Sequence, residues 1–163
     1  MTTQVLFVCM GNICRSPTAH GVLNHMASEM NLSNPSHIIV DSAGTGAWHI
    51  GAPPDKRAMK AAKARGYDLK QLRARQLVTQ DFDRFDYVLG MDRDNLEVIE
   101  SLKPAAYKGQ TGLLLDYADE VDYVEVPDPY YGGEKGFELV LDLVERACMG
   151  LLEHINSGEQ TAR

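Results

Sequence analysis

In the stretch FVCMGNICRSPT, residues 7–18, Cys9 ends an apolar run and Arg15 stands six positions later. Met10, Gly11, Asn12, Ile13 and Cys14 lie between them, and Ser16 and Pro17 follow. Gly11 permits backbone conformations that a side chain blocks, so successive N–H groups can turn inward. Such a nest before a helix N-terminus is an anion site, reinforced by the helix dipole. The planar fork of Arg15 suits two oxygens of a phosphate. A thiol on that floor is expected to ionise below its free value of about 8.5, within a range of about 3.5 to 7.5. The chemistry implied is thiolate attack on a phosphorus atom held by the loop. Ser16 can donate its hydroxyl to the thiolate or stabilise it as leaving group in a second step. Asn12 reads as a brace inside the loop, with Ser42 as its expected partner.

Breaking a phosphate ester also needs a proton for the leaving oxygen, and a placed carboxylic acid contributes roughly 10²- to 10⁴-fold. Asp128 differs from the other acidic residues because prolines flank it in VPDPYYGG. Pro127 and Pro129 stiffen the backbone, and the glycines let the loop fold over a pocket. Pro-Asp-Pro is also an ordinary turn, so the residues alone leave both readings open. Tyr130 and Tyr131 beside it, and Trp48 in GTGAWHIG, either line a cleft for an aromatic leaving group or simply pack.

Other readings of the loop fit less well. A nucleotide-binding loop needs a lysine after its second glycine, and none follows here; the Rossmann glycine pattern is absent too. Cys9, Cys14 and His20 match no common zinc spacing and lack a fourth ligand.

The elements that would position these residues alternate. QVLFVC is too short for a helix and reads as a buried strand. Apolar positions from Ser16 to about Met30 recur at helical spacing, with Ser16 as N-cap and Pro17 as first helical residue. HIIVDSAGTG gives a second strand, and APPDKRAMKAAKARGYDL a basic helix ended by Gly66. A third strand spans about Tyr87 to Met91. RDNLEVIESLK is a helix ended before Pro104, TGLLLDYA holds a short fourth strand, and FELVLDLVERACMGLLEHI is a long amphipathic helix. Alternation of this kind predicts an α/β fold, a parallel sheet with helices on both faces. Ligands of such sheets sit beyond the strands' carboxyl ends, where Cys9, Ser42, Asp92 and the 127–133 loop should gather.

The 163 residues, 44% hydrophobic and 24% charged, suit one domain spanning 1–163, with a loose tail from about 156. Sixteen basic against 23 acidic residues give a formal charge of −7, which argues against nucleic-acid or anionic-membrane partners. The N-terminal residues lack a signal-peptide pattern, and no stretch approaches the roughly 18 apolar residues of a membrane span. With only Cys9, Cys14 and Cys148, the expectation is a reduced cytoplasmic protein in which Cys148 packs in the core.

VLFVCMGNICRSPTAHGVL, VDSAGTGAWHIG, FDYVLGMD and DPYYGG together resemble the low-molecular-weight protein tyrosine phosphatases, in order from about residue 4 to 155. The resemblance implies a twisted four-stranded parallel sheet, no metal or organic cofactor, and phosphotyrosine proteins or small aryl phosphates as partners. It implies Cys9 as nucleophile through a phosphocysteine, Arg15 as phosphate clamp, and Asp128 as acid and then activator of water. Met10, Gly11, Asn12, Ile13 and Cys14 would form the substrate loop, with Asn12, Ser16 and Ser42 in the network that shapes it. Trp48 and Tyr130 fall at substrate-contacting aromatic positions, and Tyr131 at the neighbouring tyrosine. Cys14 matches a second cysteine able to form a reversible disulfide with Cys9. Arsenate reductases with this loop need further cysteines, which are lacking between Cys14 and Cys148. Phosphoarginine phosphatases tend to carry threonine where Ile13 stands, so Ile13 and the aromatic wall favour phosphotyrosine. A non-catalytic phosphate binder would be expected to lose the thiol or the acid.

Overall fold

The computed structural model describes residues 2–31, 37–130 and 132–157. Tyr131 and the tail from 158 onward lie outside these residues. Four parallel strands form the sheet: β1 Thr2–Cys9, β2 His37–Gly44, β3 Tyr87–Gly90 and β4 Gln110–Leu113, in the order β2-β1-β3-β4. The order reverses around β1, so the chain leaves its C-terminal end at a topological switch point, where open α/β sheets bind ligands. Register places Cys9 opposite Gly44 and Val8 opposite Gly90, which brings the ends of β1, β2 and β3 to one edge.

The unbroken apolar run of β1 follows from burial on both sides. Val5, Phe7 and Cys9 face a core shared with α1 (Arg15–Asn31), α2 (Lys56–Ala64) and α4 (Glu134–Asn156). Leu6 and Val8 face the opposite layer, with Phe82, Phe85 and Val88, and with Ile99 of α3 (Arg93–Leu102). A side-chain period of two divides the strand between two cores.

The helix after the loop begins two residues before the expected position. The Cys14 carbonyl accepts from the Thr18 amide at 3.2 Å, so Cys14 caps α1 and Arg15 is its first residue. Pro17 is therefore third rather than first, where its missing N–H still costs no helical bond. Ser16 is turned into the protein, fully buried, and serves the loop instead of the cap. Helix α2 is capped by Asp55, which follows Pro53 and Pro54, and the chain leaves it at Gly66 with φ +92°. Helix α4 starts at Glu134, one turn ahead of the apolar pattern, and Cys148 on it is fully buried.

Candidate active site

Residues 10–14 curl between the end of β1 and the start of α1, and their backbone groups are sorted by direction. The carbonyls of Cys9, Met10 and Ile13 accept outward, from the amides of Thr45, Gly46 and Asp55 at 2.8–2.9 Å. Among the described residues the amides of Gly11, Ile13 and Cys14 donate to no protein acceptor. A concave run of free N–H groups above a helix N-terminus is an anion cradle.

The left-handed residue that shapes this cradle is Asn12, at φ +58°, and not Gly11 as the sequence led one to expect. A non-glycine residue there needs support. Asn12 Nδ2 donates to Ser16 Oγ at 2.8 Å, and its Oδ1 accepts from the Arg75 amide at 3.0 Å. Arg75 is fixed in turn by Asp41 and by Asp81, a buried carboxylate. Gly11 serves another purpose: a Cβ there would approach His49 Cδ2 to 3.0 Å. Gly44 is needed for close approach too, since a Cβ would come 2.7 Å from the Met10 carbonyl.

Cys9 Sγ lies on the floor of this loop, 3.0 Å from Ser16 Oγ, and accepts from the Asn12 amide at 3.2 Å. Asn12 already donates to the Ser16 oxygen, so the hydroxyl hydrogen goes to the sulfur at 3.0 Å or to the more distant Ala43 carbonyl at 3.4 Å. Arg15, only 3% exposed, donates through Nη1 to Asp92 Oδ2 at 2.7 Å and to the Val126 carbonyl at 3.1 Å. Burial works against the guanidinium charge, but Cys9, Asp92 and Asp128 outweigh it and hold its pKa above the ordinary arginine value. Asp128 Oδ2 stands 3.7 Å from Arg15 Nη2, while Oδ1 accepts from the Tyr130 amide at 3.0 Å. One oxygen is fixed by its own turn and the other faces the loop.

A cleft of about 360 Å³ rises from this floor, lined by Cys9, Arg15 and Asp128 below and by Met10, Ile13, Trp48, His49 and Tyr130 around the mouth. Trp48 is 73% exposed and Tyr130 39%, so neither is spent on core packing. Cys14 also touches the cleft, but burial first, then the charges of Asp55 and Cys9, push its thiol up to about 12.

Ser42 does not join the group. Its hydroxyl pairs with His20 Nδ1 at 3.1 Å, and Asn12 is held by Ser16 and Arg75 instead. His20 is thereby engaged by β2.

Four further residues contribute; of these the sequence places only Asp92 at the strand ends, without its partner, and Arg75, Asp55 and Arg57 carry no signal of their own. Asp92 and Arg75 act across 77 and 63 positions. Asp55 donates its amide to the Ile13 carbonyl and binds Arg57 through both carboxylate oxygens. Arg57 then reaches the Tyr130 carbonyl at 3.0 Å and lies 4.9 Å over the Phe137 ring, tying the 128–130 turn to the cysteine loop.

Residues 4–161 match the family model described as low molecular weight phosphotyrosine protein phosphatase. A low molecular weight phosphotyrosine protein phosphatase of Schizosaccharomyces pombe is 46% identical over 82% of this chain and 85% of its own. A crystal structure of a protein tyrosine phosphatase from Entamoeba histolytica superposes with a TM-score of 0.90 at 41% identity, covering 96% of this chain and 99% of that one. The structure of a Drosophila arginine phosphatase superposes at 0.86 with 32% identity, over 95% and 99%.

Proposed function

The chain belongs to the low molecular weight phosphotyrosine protein phosphatases, and on that premise we infer that it hydrolyses phosphotyrosine through a phosphocysteine at Cys9. The observation that carries this reading is the convergence of Cys9 Sγ, the inward amides, the Arg15 guanidinium and Asp128 Oδ2 on one cleft.

In the first step the Cys9 sulfur attacks phosphorus and the bond to the phenolic oxygen breaks. The electron pair leaves on that oxygen, which takes a proton from the Asp128 carboxyl. The loop amides and Arg15 hold the phosphoryl oxygens as charge shifts among them. In the second step the Asp128 carboxylate takes a proton from water, the water oxygen attacks phosphorus, and the S–P bond breaks. The Ser16 hydroxyl is placed to receive the departing sulfur's charge. No step calls on a metal or an organic cofactor. Trp48 and Tyr130 stand where they would flank the phenol ring, with Met10 and Ile13 beside it.

Ile13 presents an apolar side chain to the cleft, and the aromatic mouth favours a phenyl over a guanidinium leaving group. Arsenate reduction would need a reachable second cysteine. Cys14 is held as a thiol by burial, and Cys148, on the inner face of α4, is fully buried with its thiol toward the Ala19 carbonyl of α1. Among the described residues no helix is long and apolar enough to cross a membrane, and all three cysteines are free. A reduced cytoplasmic setting and a single domain fit these observations. Phosphate release from matched phosphotyrosine, phosphoserine and phosphoarginine peptides tests the reading: phosphotyrosine should be turned over far fastest, and a preference for phosphoarginine would overturn it.

A further inference from the structure

Beside the cleft the molecule's charge reverses. The chain carries 16 Lys and Arg against 23 Asp and Glu, yet the segment 56–73 contains seven basic residues and one acidic residue, Asp68. Arg65 is spent on Glu138, Asp142 and Glu145, and Arg57 on Asp55. Among the described residues no carboxylate lies within ion-pair distance of Lys56, Lys60, Lys63 or Lys70, all of them exposed. These lysines are not scattered. Lys56, Lys60, Lys63 and Lys70 line one groove of about 530 Å³ with Met59 and Tyr67. Lys56 and Lys60 also line a second groove of about 300 Å³ with Arg57 and Phe137. That nearer groove carries Glu134 and Glu138 as well, whereas the farther one carries only Asp68. Arg57 bonds Tyr130 at the mouth of the cleft, so a basic track runs from the mouth along α2.

We propose that this track binds an acidic segment of the phosphotyrosine substrate, a few residues away from the phosphorylated side chain. The inference rests on the phosphatase reading and adds the substrate's flanking chemistry to it. Lys56 to Lys63 spans about 10 Å of helix, the reach of about three extended residues. Unpaired lysines on the face of an acidic protein attract an acidic chain and repel a basic one. They select among substrates through encounter and flank contacts, without touching the phosphate. The methylene stems of Lys60 and Lys63, with Met59 and Tyr67, give the peptide backbone an apolar floor.

The test compares phosphotyrosine peptides of one length with acidic, neutral or basic flanks, alongside p-nitrophenyl phosphate, which has no flank. The enzymes are the wild type and the triple variants K60Q/K63Q/K70Q and K60E/K63E/K70E. The wild type should favour acidic over neutral flanks by about tenfold in kcat/KM at low salt, with the preference fading as salt screens the track. Both variants should lose the preference and keep p-nitrophenyl phosphate turnover, which also reports that they fold. Equal rates on all flanks, with phosphotyrosine still hydrolysed, would overturn this inference alone. A preference that persists in both variants would take it away from α2. Binding of the wild type but not the variants to anionic lipid vesicles, with flank-independent rates, would assign the track to a membrane surface instead. Failure to hydrolyse any phosphotyrosine peptide would fell the phosphatase reading itself.

Discussion

Asp92 divides its carboxylate between two tasks: Oδ1 accepts the Asn95 amide at 2.8 Å and caps α3, while Oδ2 accepts Arg15 Nη1 at 2.7 Å. A helix start after β3 thus aims the cation of the loop after β1. With Nη1 committed to Asp92 and Val126, the remaining donors of the fork are left for a phosphate in the proposed reaction. Asp92→Ala should lower kcat/KM for aryl phosphates by about tenfold or more and weaken inhibition by phosphate and vanadate. Steady-state kinetics with both inhibitors would show it. Unchanged vanadate affinity would mean that Arg15 needs no such anchor.

Asp128→Ala should slow phenyl phosphate, with its poor leaving group, by about 10²- to 10⁴-fold, and p-nitrophenyl phosphate far less. Because Arg57 ties Tyr130 to the loop, Arg57→Ala should reproduce part of that leaving-group dependence, and Arg57→Lys should restore little, lacking the planar fork. In the Asp128→Ala background, Arg57→Ala should add almost nothing. Equal slowing of both substrates by Asp128→Ala would require another proton donor.

Cys14 is held as a thiol by burial and by neighbouring negative charge, its pKa pushed up to about 12. It should resist iodoacetate at pH 7 in the folded protein, and Cys14→Ser should retain turnover within about threefold. Peptide mapping after timed alkylation checks the first point. Modification of Cys14 at a rate typical of an exposed thiol would contradict the burial argument.

His20 is half-buried against Ser42, and desolvation, helped by Arg75 and opposed by Asp41, lowers its pKa below 6.5. The unfolded chain therefore binds the proton first as pH falls. The stability of the neutral pair is intact above about 6.5 and declines as pH drops below it toward the folded value. Urea melts of the wild type should lose stability between pH 7.5 and 5.5, and His20→Gln should flatten that slope. An unchanged slope would place the acid sensitivity elsewhere.

The cysteine loop was legible because its special residues fall within ten positions, between a strand and a helix that sequence periodicity reveals. Asp128 is only half legible: its two prolines single it out, but an ordinary turn stays open until the family resemblance supplies its role, and the structure puts it in the cleft lining. The elements holding those residues were not legible. Asp92 meets Arg15 across 77 positions and Arg75 meets Asn12 across 63, and pairing at such separation depends on sheet order, which local pattern does not encode. Ser42 was read as Asn12's partner because both belong at the strand ends, yet its hydroxyl turns to His20. Ser16 reads as a helix cap because serine before proline usually is one; here the helix starts two residues earlier, and of the two tasks the sequence offers Ser16 its hydroxyl keeps only the one beside the sulfur. His49 at the cleft mouth gave no signal, since a lone histidine in a loop has none.

In the proposed reaction the Cys9 sulfur carries the phosphoryl group between two half-reactions. Rapid acid quench of the enzyme turning over p-nitrophenyl phosphate, followed by peptide mass analysis, measures this directly. One phosphoryl group should appear on the peptide containing Cys9, accumulate further in Asp128→Ala, and be absent in Cys9→Ser. Phosphoryl on any other residue, or steady turnover by Cys9→Ser, would remove Cys9 from the reaction.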